Sequence, residues 1–519
     1  MDDQSICLIN DLGTEFLTQS LDIRVKDKLE ELENLIAETN DNIINGKNSH
    51  FKFKDEDRKK GKWHLTYEGV ENKDINNPIF KKIPKIDLAD LVFFVNKKTQ
   101  FFSVFTHILN RNVKSDINNM DLLGAIIAYA TNIGIGKMAN CSNLSYNQLR
   151  KIRDNYLREE TLKSACDIII NAIKKLPIQE VYNIDDIIHS SIDGKKYETN
   201  DNIFNARYSK KYLFEKGISV LTLIANFLPI GLRIISPNEY EGHFGLEILL
   251  MNESDIKPQI NSTDMHGINE LNHALYDFCG YEFQPRYTNI YNQALKLYSL
   301  KKAEQYPKNY IIKPSTQLNI KLMLEEEMNM KRIAASFLLK TGSVSNIVKK
   351  LSAMKSNKTR KAISEYNNIL KTIHILKTIN SLKYRQNIQI AINRGEPYHQ
   401  LAGAISYANN GKIIAKTERE QLMFKECARL VCNVIIYYNS QILSHFYLEK
   451  QKAEQYQQIE ALKRASPIAW PHINIIGKYL FREINLPLSF SKINEIVKDD
   501  ILIKEDNVQN DMQNQVLLN

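Results

Sequence analysis

The sequence predicts an α-rich α+β protein, a small sheet carrying two aspartates and flanked by helical scaffold regions. Three observations predict it. From Ser190 to Arg286 the residues alternate and turn as paired strands do, with Asp193 and Asp264 at strand positions. On either side of that stretch, apolar residues recur at helical spacing. The residues between Asp264 and Glu396 are also helical in pattern. The chain has 519 residues, 43% apolar and 25% charged, so it is globular and can bury substantial cores. Its length suggests about three or four domains.

A formal net charge of +9 favours an acidic partner only modestly at this length, but the charge is unevenly spread. From Lys331 to Arg394 the one acidic residue is Glu365. Lys349, Lys350, Lys355, Lys358, Arg360, Lys361, Lys371, Lys377, Lys383 and Arg385 crowd the same stretch, which exceeds the whole chain in net positive charge. An ordinary solvated basic face and a face that meets DNA phosphates are both open at this point. The six cysteines (Cys7, Cys141, Cys166, Cys279, Cys427 and Cys432) include no C-x-x-C pair and no histidine cluster. That pattern speaks against a zinc site or disulfide framework and for a reducing cytoplasm. The N-terminus shows no signal pattern, and the most apolar run, Gly217 to Ile235, is interrupted by Asn226, Pro229, Gly231 and Arg233. A hairpin and no membrane span are expected.

In chain order, Leu21, Val25, Leu29, Leu32 and Ile36 predict an amphipathic helix over Leu21 to Glu38, a scaffold helix or, less readily, part of a coiled coil. Asn45 to Lys62 is polar and basic and reads as a loop, Trp63 to Thr66 as a strand, and Ile86 to Val95 as a second apolar segment. Asp121 to Tyr129 starts helically and runs into Ala130 to Ala139, ATNIGIGKMA. A phosphate loop is excluded there, because the glycines are two apart and Met138 follows Lys137. Leu144 to Leu176 is mostly helical, with Arg150, Lys151, Arg153, Arg158 and Lys163 on exposed faces.

In the central stretch, Ser190 to Gly194 opens a strand carrying Asp193, and Lys216 to Ile235 reads as a hairpin around a turn at Leu228 to Gly231. His243 to Met251 is a short helix, and Pro258 to Thr263 is an extended run ending in Asp264. That order lets two acidic side chains from neighbouring strands converge at one sheet edge, where they would need a cation between them. Further on, Asn393-Arg394-Gly395 is a helix-start signal ahead of Glu396, Pro397 suits the first turn, and Leu401, Ala404 and Ile405 give that helix a buried side. Thr417 to Glu420 is a capping box that opens a long helix burying Leu422, Leu430, Val431, Val434 and Ile435, with Cys427 and Cys432 as core. Gln451 to Lys463 is a polar continuation, Trp470 to Asn474 folds back on the sheet domain, and the acidic, Asn- and Gln-rich tail from Asp499 is expected to be disordered.

Seven blocks resemble one family. They are ATNIGIGKMA at Ala130 to Ala139, SSIDG at Ser190 to Gly194, NARYSKKY at Asn205 to Tyr212, STDMHG at Ser262 to Gly267, FQPRY at Phe283 to Tyr287, NRGEPYHQL at Asn393 to Leu401 and SPIAWPHINIIGKY at Ser466 to Tyr479. In this order they resemble the catalytic part of the DDE transposases of replicative, cointegrate-forming transposons, the Tn-three family. The resemblance implies a ribonuclease-H-like (DDE) catalytic domain with an all-helical insertion between the second Asp and the Glu. It implies Asp193, Asp264 and Glu396 as catalytic residues and metal ligands, holding two Mg2+ or Mn2+ ions about 4 Å apart. Hard oxygen ligands suit those ions.

On this basis the chain divides into an N-terminal scaffold segment 1–118, a helical connection 119–182, the first part of the catalytic domain 183–290, a basic helical insertion 291–390, the Glu helix and a long packing helix 391–460, and a C-terminal region 461–519. Lys195, Arg207, Lys210, Lys211 and Arg286 near the carboxylates, and Lys349, Lys350, Lys358, Arg360 and Lys361 in the insertion, are the candidate DNA contacts, which position a duplex rather than read it. His266 and His399 would orient water or DNA, or serve as buried structural histidines. The expected partners are transposon terminal inverted repeats and target DNA, with a homodimer in the bacterial cytoplasm. The bland alternatives are a turn role for Asp193, a loop-capping role for Asp264 and a helix-dipole role for Glu396. Two departures stand out: Ile192 occupies a usually small polar position, and Lys195 replaces the usual Gln. The chain also resembles only the C-terminal half of the family's members. A metal-dependent DNA 3′-end cleaving and strand-transferring enzyme is therefore expected, against a catalytically idle fragment that binds DNA or a partner. A nuclease without strand transfer is a third reading, and a glycosidase is disfavoured by the basic insertion.

Overall fold

The computed structural model describes residues 13–53, 62–67, 78–109, 117–199, 203, 205–209 and 216–483. Cys7, Lys210, Lys211 and the tail from Asp499 lie outside them.

The longest helices before the sheet are α1 (Leu21–Ile44), α2 (Leu88–Thr99), α3 (Asn119–Ala130) and α4 (Glu159–Lys174), with shorter helices between them. In α1 the five apolar residues at helical spacing are all buried, as their stripe predicts. The polar stretch after α1 departs from a loop. Phe51–Phe53 pairs antiparallel with Trp63–Leu65, because Phe51 alternates inward and its ring lies 4.7 Å from that of Trp63.

The central sheet is built from β1 (His189–Glu198), β2 (Lys216–Ala225), β3 (Leu228–Ile235), β4 (Ile260–Thr263) and β5 (Glu282–Phe283). Its spatial order is β3-β2-β1-β4-β5, with Arg207–Tyr208 pairing at the start of β2. β1, β4 and β5 run parallel to one another, and β2 is antiparallel to both β1 and β3. Flanked on both sides, β2 is buried from Gly217 to Ala225, which explains its unbroken apolar run. The hairpin turn falls at Asn226-Phe227, not at Leu228 to Gly231. Both turn residues have positive φ, 48° and 69°, as a two-residue turn matched to strand twist requires. Pro229 and Gly231 belong to β3 instead, an edge strand, where Ile224 and Leu223 face them across a register shift. Helix α5 (Gly245–Leu250) leads to β4, and α6 (Asn272–Phe278) connects β4 to β5.

The span from Asp264 to Glu396 departs from an all-helical insertion. It first supplies β5, which completes the sheet, and then a short parallel pair of Tyr298–Ser299 with Thr316–Gln317. Helices α7 (Val344–Ala353), α8 (Lys358–Asn380) and α9 (Leu382–Asn393) follow. α8 packs against α1 and α6. Lys377 binds Glu31 at 2.7 Å, Arg24 binds Asp277 at 2.7 Å, and the Tyr366 hydroxyl donates to Asp277 at 2.8 Å. The N-terminal helix and the basic segment are thus fastened together by charge as well as by apolar surface.

Helix α10 (Gly395–Ile405) carries Glu396, and α11 (Glu418–Lys452) opens with the expected capping box of Thr417 and Glu420. α11 buries Leu430, Val431, Val434 and Ile435 completely, while Leu422 stays half-buried. It packs on α2, α3, α4 and α10. A helix so enclosed sits inside the protein rather than on it. Its charged pair Glu426 and Arg429 is buried but joined at 2.6 Å, as burial demands. Trp470 to Asn474 lies against this helix and the N-terminal segment rather than the aspartate-bearing sheet. His472 bonds Asn439 at 3.0 Å, and Ile473 pairs with Ile86. One hydrophobic core runs from Phe16 to Phe481 through all these elements, with a smaller cluster around Ile218 and Phe424. The five described cysteines are free.

Burial also makes three histidines sensitive to acid. It pushes His374 down to about 4 and His189 down to about 3, and holds His273 well below the usual range. His273 and His374 stand with ring centroids 5.3 Å apart, beside Lys371. Their folded values lie below the unfolded value near 6.5, so their contribution to stability is complete above about pH 6.5 and is lost as pH falls toward 4. Unfolding free energy should fall across that window by roughly 1.4 kcal/mol per pH unit per buried histidine, and the thermal midpoint should fall with it. His374→Gln, which cannot titrate, should show a shallower drop. Equal slopes in the two proteins would refute this.

Candidate active site

Strand register brings the two aspartates together. Ile192 of β1 pairs with Thr263 of β4 in the parallel ladder, so Asp193 and Asp264 each follow a paired residue, Asp193 still within β1 and Asp264 just past the end of β4. The Thr263 hydroxyl donates to the Ile192 carbonyl at 3.3 Å, fixing that register. A buried polar ladder supports it. His189 bonds Ser262 at 2.7 Å, Ser262 donates to the Gln284 carbonyl at 2.7 Å, and Ser190 donates to Asn261 at 2.9 Å. Each of these groups is satisfied, so the ladder rigidifies rather than weakens the core.

Asp193 is half-exposed. Its Oδ1 accepts the Gly194 N–H at 2.8 Å, and its Oδ2 lies 3.4 Å from His399 Nε2. Burial pushes this carboxyl up, but His399, the Gly194 N–H and Lys196 outweigh it and hold the group below the ordinary carboxylate range. Asp264 leaves its strand and caps the short turn Met265–Gly267 by accepting the His266 N–H at 2.8 Å. That turn depends on Gly267, where an added Cβ would meet Thr263 Oγ1 at 1.9 Å. Gly267→Ala should therefore displace Thr263 and Asp264 together, lowering the thermal midpoint and weakening any divalent-ion binding by about tenfold or more. An alanine variant that matches the parent in both would contradict this packing.

Glu396 sits where one helix hands over to the next, not after a loop. α9 ends at Asn393 and α10 begins at Gly395, because Pro397 lacks an N–H and would clash with the Asn393 carbonyl in a continuous helix. The start of α10 rests on Asp193: a Cβ on Gly395 would lie 3.5 Å from Asp193 Oδ2. Glu396 is exposed and accepts from Gln400 at 3.0 Å. Between the helices, Arg394 is buried. It donates to Asn226 Oδ1 at 2.9 Å and to the Tyr182 carbonyl at 2.5 Å, and stacks 5.0 Å from the Phe227 ring. Burial pushes its guanidinium down to about 10. Ser191 of β1 donates to the Ala391 carbonyl of α9 at 2.8 Å. At the far end of α10, Asn132 donates to the carbonyls of Ala408 and Lys412 at 3.1 and 2.8 Å. The ATNIGIGKMA block thus clamps the segment after the Glu helix.

Arg394, Ser191 and Asn132 lay inside the blocks singled out above, yet nothing local marked them as anchors. Lys425 of α11 was also missed. It is buried with its Nζ 3.2 Å from the Tyr197 ring centroid, and burial, with Lys195 nearby, holds its ammonium well below the ordinary range.

The basic candidates divide. Lys195 is turned onto the Glu helix, donating to the His399 carbonyl at 2.7 Å. Lys349 binds Glu239 at 2.5 Å, Lys358 binds Glu325 at 2.9 Å, and Arg360 pairs with Glu270. Lys350 and Lys361 are exposed and form no ion pair with a described residue. Arg207 is exposed on its short strand. Arg286 stands beside Asp264, its backbone N–H donating to the Thr263 carbonyl at 2.9 Å and its side chain to Gln389 at 2.8 Å. His266 is exposed and His399 buried.

Among the described residues, no three His, Cys, Asp or Glu side chains stand close enough to hold one ion. The donor chemistry nonetheless fits a hard divalent cation: acceptor-only carboxylates, one kept ionised, at one sheet edge.

Fold and site together define an α+β domain whose acidic residues come from one strand, the end of the parallel strand beside it and the first turn of a helix resting on the first of them. The chain belongs to the family described as the Tn3 transposase DDE domain, which it matches over residues 90–479. It is 28% identical to the transposase for transposon Tn1546 of Enterococcus faecium over 414 residues, 79% of this chain and 41% of that protein. It is 28% identical to the transposase for transposon Tn2501 of Escherichia coli over 430 residues, 80% of this chain and 41% of that protein. Against the transposase for transposon Tn501 of Pseudomonas aeruginosa it is 27% identical over 405 residues, 77% and 40% respectively. The chain spans about two fifths of the length of the curated relatives it matches. No helix among the described residues is long and apolar enough to cross a membrane.

Proposed function

We propose that this chain is the catalytic core of a DNA transposase, with a ribonuclease-H-like domain that cleaves DNA at the 3′ end of an element and joins that end to target DNA in replicative transposition. The observation that carries the proposal is the parallel pairing of Ile192 with Thr263, which sets Asp193 and Asp264 each one residue past that pair, with the first turn of the Glu396 helix against Asp193. Asp193, Asp264 and Glu396 would hold Mg2+ or Mn2+. Such ions activate an attacking oxygen and stabilise a leaving one. The chain's own part is to keep Asp193 ionised through the Gly194 N–H and His399, and to fix the Glu396 helix through Arg394 and Ser191. Arg286, Arg207, Lys350 and Lys361 are the exposed cations we assign to backbone phosphates of transposon ends and target, and two copies of the chain would hold the paired ends.

A second reading is favoured by one observation: among the described residues, the carboxylates are not gathered into a cluster that could hold an ion. In that reading it binds DNA or a longer partner without catalysis. The test is joining of a pre-cleaved transposon-end oligonucleotide to a plasmid in Mg2+ or Mn2+. Joined product that disappears with Asp264→Asn supports the catalytic reading. Retained DNA binding without product supports the idle one.

A further inference from the structure

We propose that His399 is a positioning residue for Asp193, an imidazole that closes on the aspartate when a divalent cation is bound; this rests on the reading of Asp193 as a metal-holding carboxylate. His399 lies three residues beyond Glu396 on α10, so the two side chains leave the same face of that helix. Its Nε2 stands 3.4 Å from Asp193 Oδ2, a loose polar contact short of good hydrogen-bond geometry, although the residue is only 5% exposed. A buried ring nitrogen whose contact is this loose adds little to the stability of a fold. Packing alone would be served better by an apolar side chain.

The geometry around Asp193 says what the imidazole is for. Oδ1 is already taken by the Gly194 N–H at 2.8 Å, which leaves the carboxylate one rotational freedom, about its bond to Cβ. A donor on Oδ2 removes that freedom and turns the remaining lone pairs outward. An approach of about 0.5 Å converts the present separation into a hydrogen bond. Catalytic hydrogen bonds are often loose before substrate arrives and tighten afterwards. The backbone beside the imidazole is itself held, since the His399 carbonyl accepts Lys195 Nζ at 2.7 Å. The aspartate and its Glu-bearing helix are thereby coupled through one side chain.

The test is Mn2+ binding by the full chain, followed by electron paramagnetic resonance, with thermal midpoints measured alongside for the parent, His399→Leu, His399→Gln and Asp193→Asn. We expect His399→Leu to bind Mn2+ about tenfold more weakly with an unchanged or raised midpoint. His399→Gln, whose amide N–H reaches the same oxygen, should recover most of the affinity. A lowered midpoint in His399→Leu with unchanged Mn2+ affinity would make His399 a structural residue and overturn the proposal. Equal binding by the parent and Asp193→Asn would instead remove the metal reading of Asp193, and this proposal with it.

Discussion

Asp193→Asn should reduce DNA joining by about a thousandfold or more while leaving the thermal midpoint nearly unchanged. The substitution is isosteric, and the amide oxygen can still accept the Gly194 N–H that Oδ1 accepts at 2.8 Å. The carboxylate is half-exposed, and its contact with His399 at 3.4 Å is too loose for its loss to unfold the sheet. What disappears is the negative charge, and with it the proposed hold on a divalent cation. Single-turnover joining in Mg2+, with circular dichroism melting as the control, reads both quantities. A joining rate within about tenfold of the parent would assign the chemistry to other residues.

Arg394→Met should be the most destabilising single change near the site, at about 3–5 kcal/mol, and should abolish joining as well. Arg394 is 4% exposed, and its loss strips donors from the Asn226 side chain and the Tyr182 carbonyl. Each of those acceptors would then be buried and unmatched, which is costlier than never having been paired. Met fills the same volume over the Phe227 ring, so the effect isolates the hydrogen bonds. Because Arg394 joins the hairpin turn to the start of the Glu396 helix, instability and inactivity should arise together. Urea unfolding that shows a loss under about 1 kcal/mol would refute the anchoring role.

Much of this arrangement was legible in the sequence because it rests on short-range pattern. Alternation and burial marked β1, β2 and β4, and the capping box at Thr417 marked the start of α11. The stripe from Leu21 to Ile36 marked α1. Local pattern failed where the deciding partner is remote. The turn at Asn226-Phe227 was read as Leu228 to Gly231, since Pro and Gly signal turns more strongly than a Phe with positive φ. The basic run from Lys331 to Arg394 looked like one surface, yet Lys349, Lys358 and Arg360 reach Glu239, Glu325 and Glu270, which no spacing reveals. Asp193, Asp264 and Glu396 stood out through resemblance to a family, and strand register explains why two of them are neighbours. The burial of Arg394 between two helices had no local signature at all.

The central claim is that these carboxylates bind the ions that drive DNA joining. Joining by Asp264→Cys in Mg2+ and in Mn2+ tests it most directly, because a thiolate is a poor ligand for magnesium and a better one for manganese. The account predicts no product in Mg2+ and partial recovery in Mn2+. Equal activity in the two ions would contradict it.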